Sequence, residues 1–219
     1  MAKLSDDEKN EKAQKKAEGL KILEKLDTAT VKSYIDEFDK KQKIAEGALV
    51  EVFGKYKGSK NVNEIFIMVQ MLNQLYSAGL NSNKPLEENT SEKVDVYTMA
   101  ERLAENAEHV SEWLEDADRC TAVNNIIGLF PEYDRPYSFV TKYCSWLNSE
   151  KYPIADSYSK GVLYHYFGRE TAQSEFNDYN EFCRIFDAFK ALEIMNDVSV
   201  KNVDKFLWSF GKKYGIKIE

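Results

Sequence analysis

One segment of the chain, residues 62–78, is apolar on nearly every side of the helix that its spacing predicts. Its apolar side chains are Ile65, Phe66, Ile67, Met68, Val69, Met71, Leu72, Leu75 and Tyr76. A helix of this kind has to be covered by neighbours on several sides. We therefore expect it to be the central core helix, with other helices packed around it.

The composition of the whole chain also favours helices. The 219 residues include only 4 Pro and 10 Gly, and the long runs of Ala, Leu, Glu and Lys consist of strong helix formers. No stretch alternates apolar and polar residues between hairpin turns, as a half-buried strand would. A hydrophobic content of 43% can fill one core. Together, these features predict an all-α, single compact multi-helix domain.

A charged helix is predicted at the N-terminus. Ser5 and Glu8 have the spacing of a capping box, in which the serine side chain accepts from the third helical amide and the glutamate reaches back. The residues that follow, to about Leu26, are mostly charged and have few apolar contacts to offer. We expect residues 1–27 to form this charged helix and residues 28–219 to form the helical domain.

The sequence gives no sign of a membrane or metal protein. No stretch approaches the roughly 18 consecutive apolar residues of a membrane helix, and the first residues lack an apolar signal core. The three cysteines are widely spaced, as is typical of free thiols in a reducing compartment. His109 and His165 are not at ligand spacing from a cysteine. We expect a cytoplasmic protein without a metal or cofactor.

The net charge of -7 is unevenly distributed, because residues 87–118 hold 2 basic and 11 acidic side chains. Apolar residues at helical spacing predict one or two amphipathic helices here with a negative outer face. Such a face usually serves solubility. The alternative is that the acidic 101–118 face attracts a basic partner protein. This charge also argues against a broadly basic nucleic-acid binder, since Lys and Arg supply most non-specific DNA affinity.

Two consecutive helices are predicted within residues 137–163. Phe139, Tyr143, Trp146 and Leu147 share a face of the first helix, and Lys142 lies near its beginning. Pro153 forces an extended connection. Asp156 then stands where a side chain caps a new helix. Taken alone, Asp156 fits a plain helix cap and Lys142 fits a solvated surface lysine. The other interpretation is that Lys142 and Asp156 form a catalytic pair.

The catalytic interpretation gains from a resemblance. The stretch SFVTKYCSWLNSEKYPIADSY resembles the pattern SFASKYCSWHNPxxYPIYDSYV of a widespread group of bacterial proteins. Residues 73–77 (NQLYS) and 203–213 (VDKFLWSFGKK) match two further patterns of that group, LNxLYST and DKFLWxxGK. The group is itself distantly similar to the helix-hairpin-helix DNA glycosylases. The resemblance covers about residues 68–214.

This resemblance implies a DNA-glycosylase-like helical architecture and a base-excision N-glycosylase or lyase of DNA repair or phage defence, with double-stranded DNA as its partner. It assigns Lys142 the role of a nucleophile that forms a Schiff base with the sugar. Asp156 would stabilise the positive charge that builds on the sugar. A flipped base would be held by aromatic side chains, for which Tyr152, Tyr158 and Trp146 are nearest in the sequence.

Several residues depart from the family patterns. Residues 130–136 (FPEYDRP) stand where a helix-hairpin-helix enzyme has a glycine-rich hairpin that grips a DNA phosphate, and they hold two prolines and no glycine. Arg135 is then the obvious local cation. Thr141, Leu147 and Ala155 replace a serine, a histidine and a tyrosine of the bacterial pattern. The catalytic hypothesis requires Lys142 and Asp156, 14 residues apart, to meet at a shared cavity. The competing hypothesis is a non-catalytic module that holds a partner protein.

Overall fold

The structure is a computed structural model that describes residues 5–76, 80, 95–131, 136–168, 176 and 178–218. All regular secondary structure in these residues is helical, which confirms the all-α prediction. The helices are α1 (Asp6–Leu23), α2 (Thr28–Tyr56), α3 (Val62–Tyr76), α4 (Val96–Glu105), α5 (Ala107–Asp116), α6 (Arg119–Gly128), α7 (Tyr137–Leu147), α8 (Ser157–Tyr166), α9 (Tyr179–Lys190) and α10 (Val200–Tyr214), with a 3₁₀ turn at Glu193–Met195.

The chain separates into two compact units. Met1–Lys41 and Asp156–Glu219 form one, called here the terminal unit, and Gln42–Ala155 form the other, called here the central unit. The division into residues 1–27 and 28–219 therefore stays a prediction. None of the described helices is both long and apolar enough to cross a membrane.

The core of the terminal unit is built around α10, which packs against α8 and α1. Its buried face consists of Val203, Phe206, Leu207, Phe210 and Tyr214. An aromatic stripe is buried in this unit too, and it consists of Phe176, Tyr179, Phe182, Phe186 and Phe189. The predicted capping box of α1 is present, with Ser5 and Glu8 bonding each other's amides.

The core of the central unit includes α3, which packs against α4 and α7. Ile65, Met68, Val69 and Leu72 are buried. Ile67 and Leu75, however, are 38% and 41% exposed. The prediction of a helix covered on several sides is therefore wrong in part, because α3 keeps one apolar strip at the surface of the described structure.

Candidate functional site

Lys142 lies inside the central unit rather than at its surface. Its side chain is only 4% exposed. Its amine donates to the hydroxyl of Ser138, one turn earlier on α7, at 3.0 Å and to the backbone carbonyl of Tyr76, near the end of α3, at 3.3 Å. The interpretation of Lys142 as a solvated surface charge is therefore wrong. The reason is that α7 is buried on nearly all sides, so even its polar positions face other elements.

Aromatic side chains surround this part of α7. Trp146, one turn after Lys142, is half-buried and lies 5.8 Å from the ring centres of both Phe53 and Tyr76. Tyr143 is buried against Phe53 and Phe139. Burial raises the pKa of the Tyr143 hydroxyl far above its ordinary value. The aromatic neighbourhood expected for the lysine is thus present, and it comes from α2, α3 and α7.

The connection after α7 is held closely to the rest of the central unit. Lys151 donates to the carbonyls of Leu114 and Ala117, both at 2.9 Å, and so caps the C-terminal end of α5. Tyr152 is fully buried, and its hydroxyl donates to the same Leu114 carbonyl at 3.0 Å. A base could stack on Tyr152 only if this residue moved out of its site, and its proposed stacking role stays a prediction.

Thr141 explains how the connection is anchored to α7. Its hydroxyl accepts a hydrogen bond from the amide of Ala155 at 3.2 Å. Thr141 and Ala155 both differ from the bacterial pattern that the sequence resembles. The substituted pair therefore forms a direct link between α7 and the end of the connection.

Asp156 caps α8, as predicted. Its carboxylate accepts from the amides of Tyr158 at 3.0 Å and Ser159 at 2.9 Å, and the residue is 7% exposed. Tyr158 is half-buried, with its ring edge-on to Trp208 at 6.5 Å. Asp156 belongs to the terminal unit and Lys142 to the central unit, so their convergence stays a prediction.

Arg135, the remaining predicted site residue, lies outside the described residues. Within the described residues, no group of three His, Cys, Asp or Glu side chains is placed to hold a metal ion.

The acidic segment forms two helices, α4 and α5, and its negative outer face is confirmed. Glu101, Glu105, Glu108 and Glu112 are all exposed. Glu108 forms a salt bridge with Lys60 of the preceding loop. Glu112 lies 3.3 Å from the ring nitrogen Nδ1 of His109. Glu101 and Glu105 are exposed, as a solubility role or a basic partner would require.

Sequence reasoning missed a third buried charge, Asp204, which is 4% exposed on α10. Lys142, Asp156 and Asp204 are the buried charged residues of the described structure. Asp204 is the aspartate of the DKFLW stretch, so all three lie in segments that resemble the bacterial group. The position of Asp204 within a matching motif was the signal that could have identified it.

Comparisons with known proteins agree with a bacterial family. The family model HI_0787_N, described as an N-terminal domain, matches residues 30–151, more than half of the chain. An uncharacterized protein of Haemophilus influenzae is 35% identical over 82 residues, which cover 35% of this chain and 37% of that protein. The match therefore spans just over a third of the relative's length. No solved structure matches the chain.

Proposed function

We propose that this chain, which belongs to the HI_0787_N family, is a DNA base-excision N-glycosylase with lyase activity and a DNA-glycosylase-like helical architecture. One observation carries the proposal. The charged side chains that are buried in the described structure, Lys142, Asp156 and Asp204, all fall in the segments that resemble the glycosylase-related bacterial group.

Burial of these charges supports a chemical role over a purely structural one. Lysine and aspartate are almost never fully buried unless they are paired, because removing a charge from water is costly. Groups kept in such positions despite this cost cluster at functional sites. A surface lysine and an exposed cap would have served solubility and helix stability without that cost.

Lys142 is assigned the covalent step. Its uncharged amine attacks C1′ of the deoxyribose, and the glycosidic bond breaks with its electron pair on the departing base, which takes up a proton. The new amine gives its proton to the ring oxygen as the C1′–O4′ bond opens, which leaves a protonated Schiff base. Loss of a C2′ proton then expels the 3′ phosphate and cuts the strand, and water releases the enzyme.

Asp156 is assigned the electrostatic step. Two backbone amides hold its carboxylate at the N-terminus of α8, where the helix dipole favours a negative charge. A fixed carboxylate of this kind stabilises the positive charge that develops on the sugar as the base leaves. Because the carboxylate is already held in place, little reorganisation is needed during the reaction.

Borohydride trapping tests the proposal. The full chain is incubated with duplexes that carry an abasic site or a modified base, and the Schiff base is reduced to a stable adduct. We expect the wild type to form a covalent adduct and to cut the strand. Lys142→Met should form no adduct, whereas Lys60→Met, which alters an exposed lysine, should match the wild type.

Asp156 variants separate catalysis from capping. Asn is as good an N-cap as Asp, so Asp156→Asn should fold with nearly unchanged stability and excise bases about 100-fold more slowly. Asp156→Ala should in addition lose about 1 kcal/mol of stability. The proposal is wrong if the wild type gives neither adduct nor strand scission and has no measurable affinity for DNA.

The exposed carboxylates of α4 and α5 favour a second candidate, a non-catalytic module that holds a basic partner protein. Charge reversal of Glu101, Glu105 and Glu112 to lysine should then abolish the recovery of that partner in a quantitative pull-down. Undiminished recovery by the reversed variant would argue against this candidate.

A further inference from the structure

The central unit contains a cavity of about 560 Å³. It is lined by the loop after α2 and by parts of α3, α4, α5 and α7 together with the connection after α7. The lining includes neither Lys142 nor Asp156, so the cavity is separate from the catalytic residues proposed above. All of its lining residues fall within the part of the chain that matches the family model.

The floor of the cavity is hydrocarbon apart from one hydroxyl. Its side chains are Ile65, Leu103, Ala107, Val110, Leu114, Tyr143 and Leu147. All but Leu114 are buried, and Leu114 is half-buried. The other half of the lining consists of polar, charged or glycine residues: Lys57, Gly58, Ser59, Ser111, Glu115, Asn148 and Lys151. Volumes of 300–1,000 Å³ are typical of small-molecule sites.

The polar atom of this floor is the hydroxyl of Tyr143. The residue is 4% exposed, and its hydroxyl is not among the fully enclosed polar atoms that lack a hydrogen-bond partner. Burial raises the pKa of this hydroxyl, so it stays protonated and is able to donate. An acceptor atom of a ligand in the cavity would be a suitable partner for this hydroxyl.

The mouth of the cavity carries charged side chains of both signs. Lys57, Glu115 and Asn148 are the exposed charged and amide side chains of the lining. Lys151 also lines the cavity, but its amine is directed to the carbonyls of Leu114 and Ala117. With two lysines and one glutamate, the lining has a surplus of one positive charge.

We propose that this cavity is a binding site for a small molecule that has an apolar part and one hydrogen-bond acceptor next to the Tyr143 hydroxyl. The apolar part fills the floor between α3, α4, α5 and α7. The acceptor determines the orientation of the molecule, as the few polar groups of apolar pockets generally do.

Quinoline and naphthalene test the proposal, because they have the same shape and differ in one acceptor nitrogen. Titration of the full chain labelled with ¹⁵N should give saturable shifts that are centred on the lining residues for both probes. Quinoline should bind about fivefold more tightly, the effect expected for one net hydrogen bond.

Three variants complete the test. Tyr143→Phe should bind both probes equally, whereas Tyr152→Phe, which changes a buried tyrosine outside the cavity lining, should keep the preference for quinoline. Val110→Phe fills the floor and should weaken the binding of both probes at least tenfold. If neither probe binds saturably, or if Val110→Phe binds them as the wild type does, the cavity holds only water and the proposal fails. None of these measurements depends on DNA chemistry.

Discussion

Tyr34 and Tyr214 form a pair in the terminal unit in which each hydroxyl depends on the other. The two oxygen atoms are 2.9 Å apart in a buried setting. Burial raises the pKa of Tyr214 to about 12 and also raises that of Tyr34. Both hydroxyls are therefore protonated at neutral pH, and one of them donates to the other.

Removal of one hydroxyl of this pair should lower the free energy of unfolding by more than half of the loss that removal of both hydroxyls causes. We expect Tyr34→Phe and Tyr214→Phe each to lower the free energy of unfolding by about 1–2 kcal/mol, because each leaves a buried hydroxyl without its partner. The double variant should be less destabilised than the sum of the two, which urea denaturation of all four proteins would measure. Strict additivity would contradict the coupling of the two hydroxyls.

Lys142 and Asp204 also illustrate the importance of single residues, because their burial was not evident from the residue types. A helical pattern assigns charged residues to the solvent face by default. Both are instead enclosed by other elements. Where that default fails inside a motif, as it does here, a functional role becomes the leading hypothesis.

Helix α8 depends on a close approach by the end of the chain. The amide of Ile218 donates to the carbonyl of Ser157 at 3.0 Å, and a Cβ placed on Gly161 would lie 2.5 Å from the Cα of Lys217. The obstructing atoms belong to the backbone, so they cannot move aside as a flexible side chain could. Gly161 is therefore required by packing rather than by its own backbone conformation.

Gly161→Ala should destabilise the protein by about 1–3 kcal/mol, the usual cost of overpacking. The matched control is Gly47→Ala in α2, where a Cβ would meet no atom within 4 Å. That variant should be more stable by up to about 1 kcal/mol, since alanine is the better helix former. Thermal unfolding of the two variants measures both effects, and a neutral Gly161→Ala would refute the close approach of the C-terminal segment.

Exposed carboxylates throughout the molecule make its stability sensitive to acid. Hydrogen bonds from neighbouring side chains or amides lower the pKa of six carboxylates: Glu8, Glu11, Asp27, Glu37, Glu108 and Asp118. Each has a lower pKa in the folded chain than in the unfolded chain. Their contribution to stability is therefore complete above about pH 5 and is lost as the pH falls through the folded-state pKa values.

We expect the urea midpoint of the protein to fall between pH 5 and pH 3. Asp118 offers a matched variant, since it caps α6 through Cys120 and Thr121 and Asn caps equally well without titrating. Asp118→Asn should therefore lose less stability over the same range than the wild type does. A midpoint that stays constant from pH 5 to pH 3 would contradict this account.

The family match and the compact units divide the chain at similar places. The family model covers residues 30–151, and the central unit covers Gln42–Ala155. The match therefore includes Lys142 and the cavity of the central unit, whereas Asp156 and Asp204 lie beyond it. A role for the terminal unit rests on the motif resemblance and the burial of those two aspartates.

Local features of the chain were predictable from the residues alone. Ser5 and Asp156 each precede a helical stripe and accept from its first amides, as expected. The helical content and the acidic face of α4 and α5 followed from spacing and charge. These features depend on interactions within about one turn of helix, and such interactions are fully encoded by neighbouring residues.

The burial of Lys142 and Tyr152 and the partial exposure of α3 depended on which elements pack together. Periodicity shows which residues share a face, but not how many other elements cover that face. The partners of these residues come from distant parts of the chain: Tyr76 lies 66 residues before Lys142, and Leu114 lies 38 residues before Tyr152. Only the three-dimensional arrangement brings such residues together, and it also creates the cavity beside Tyr143.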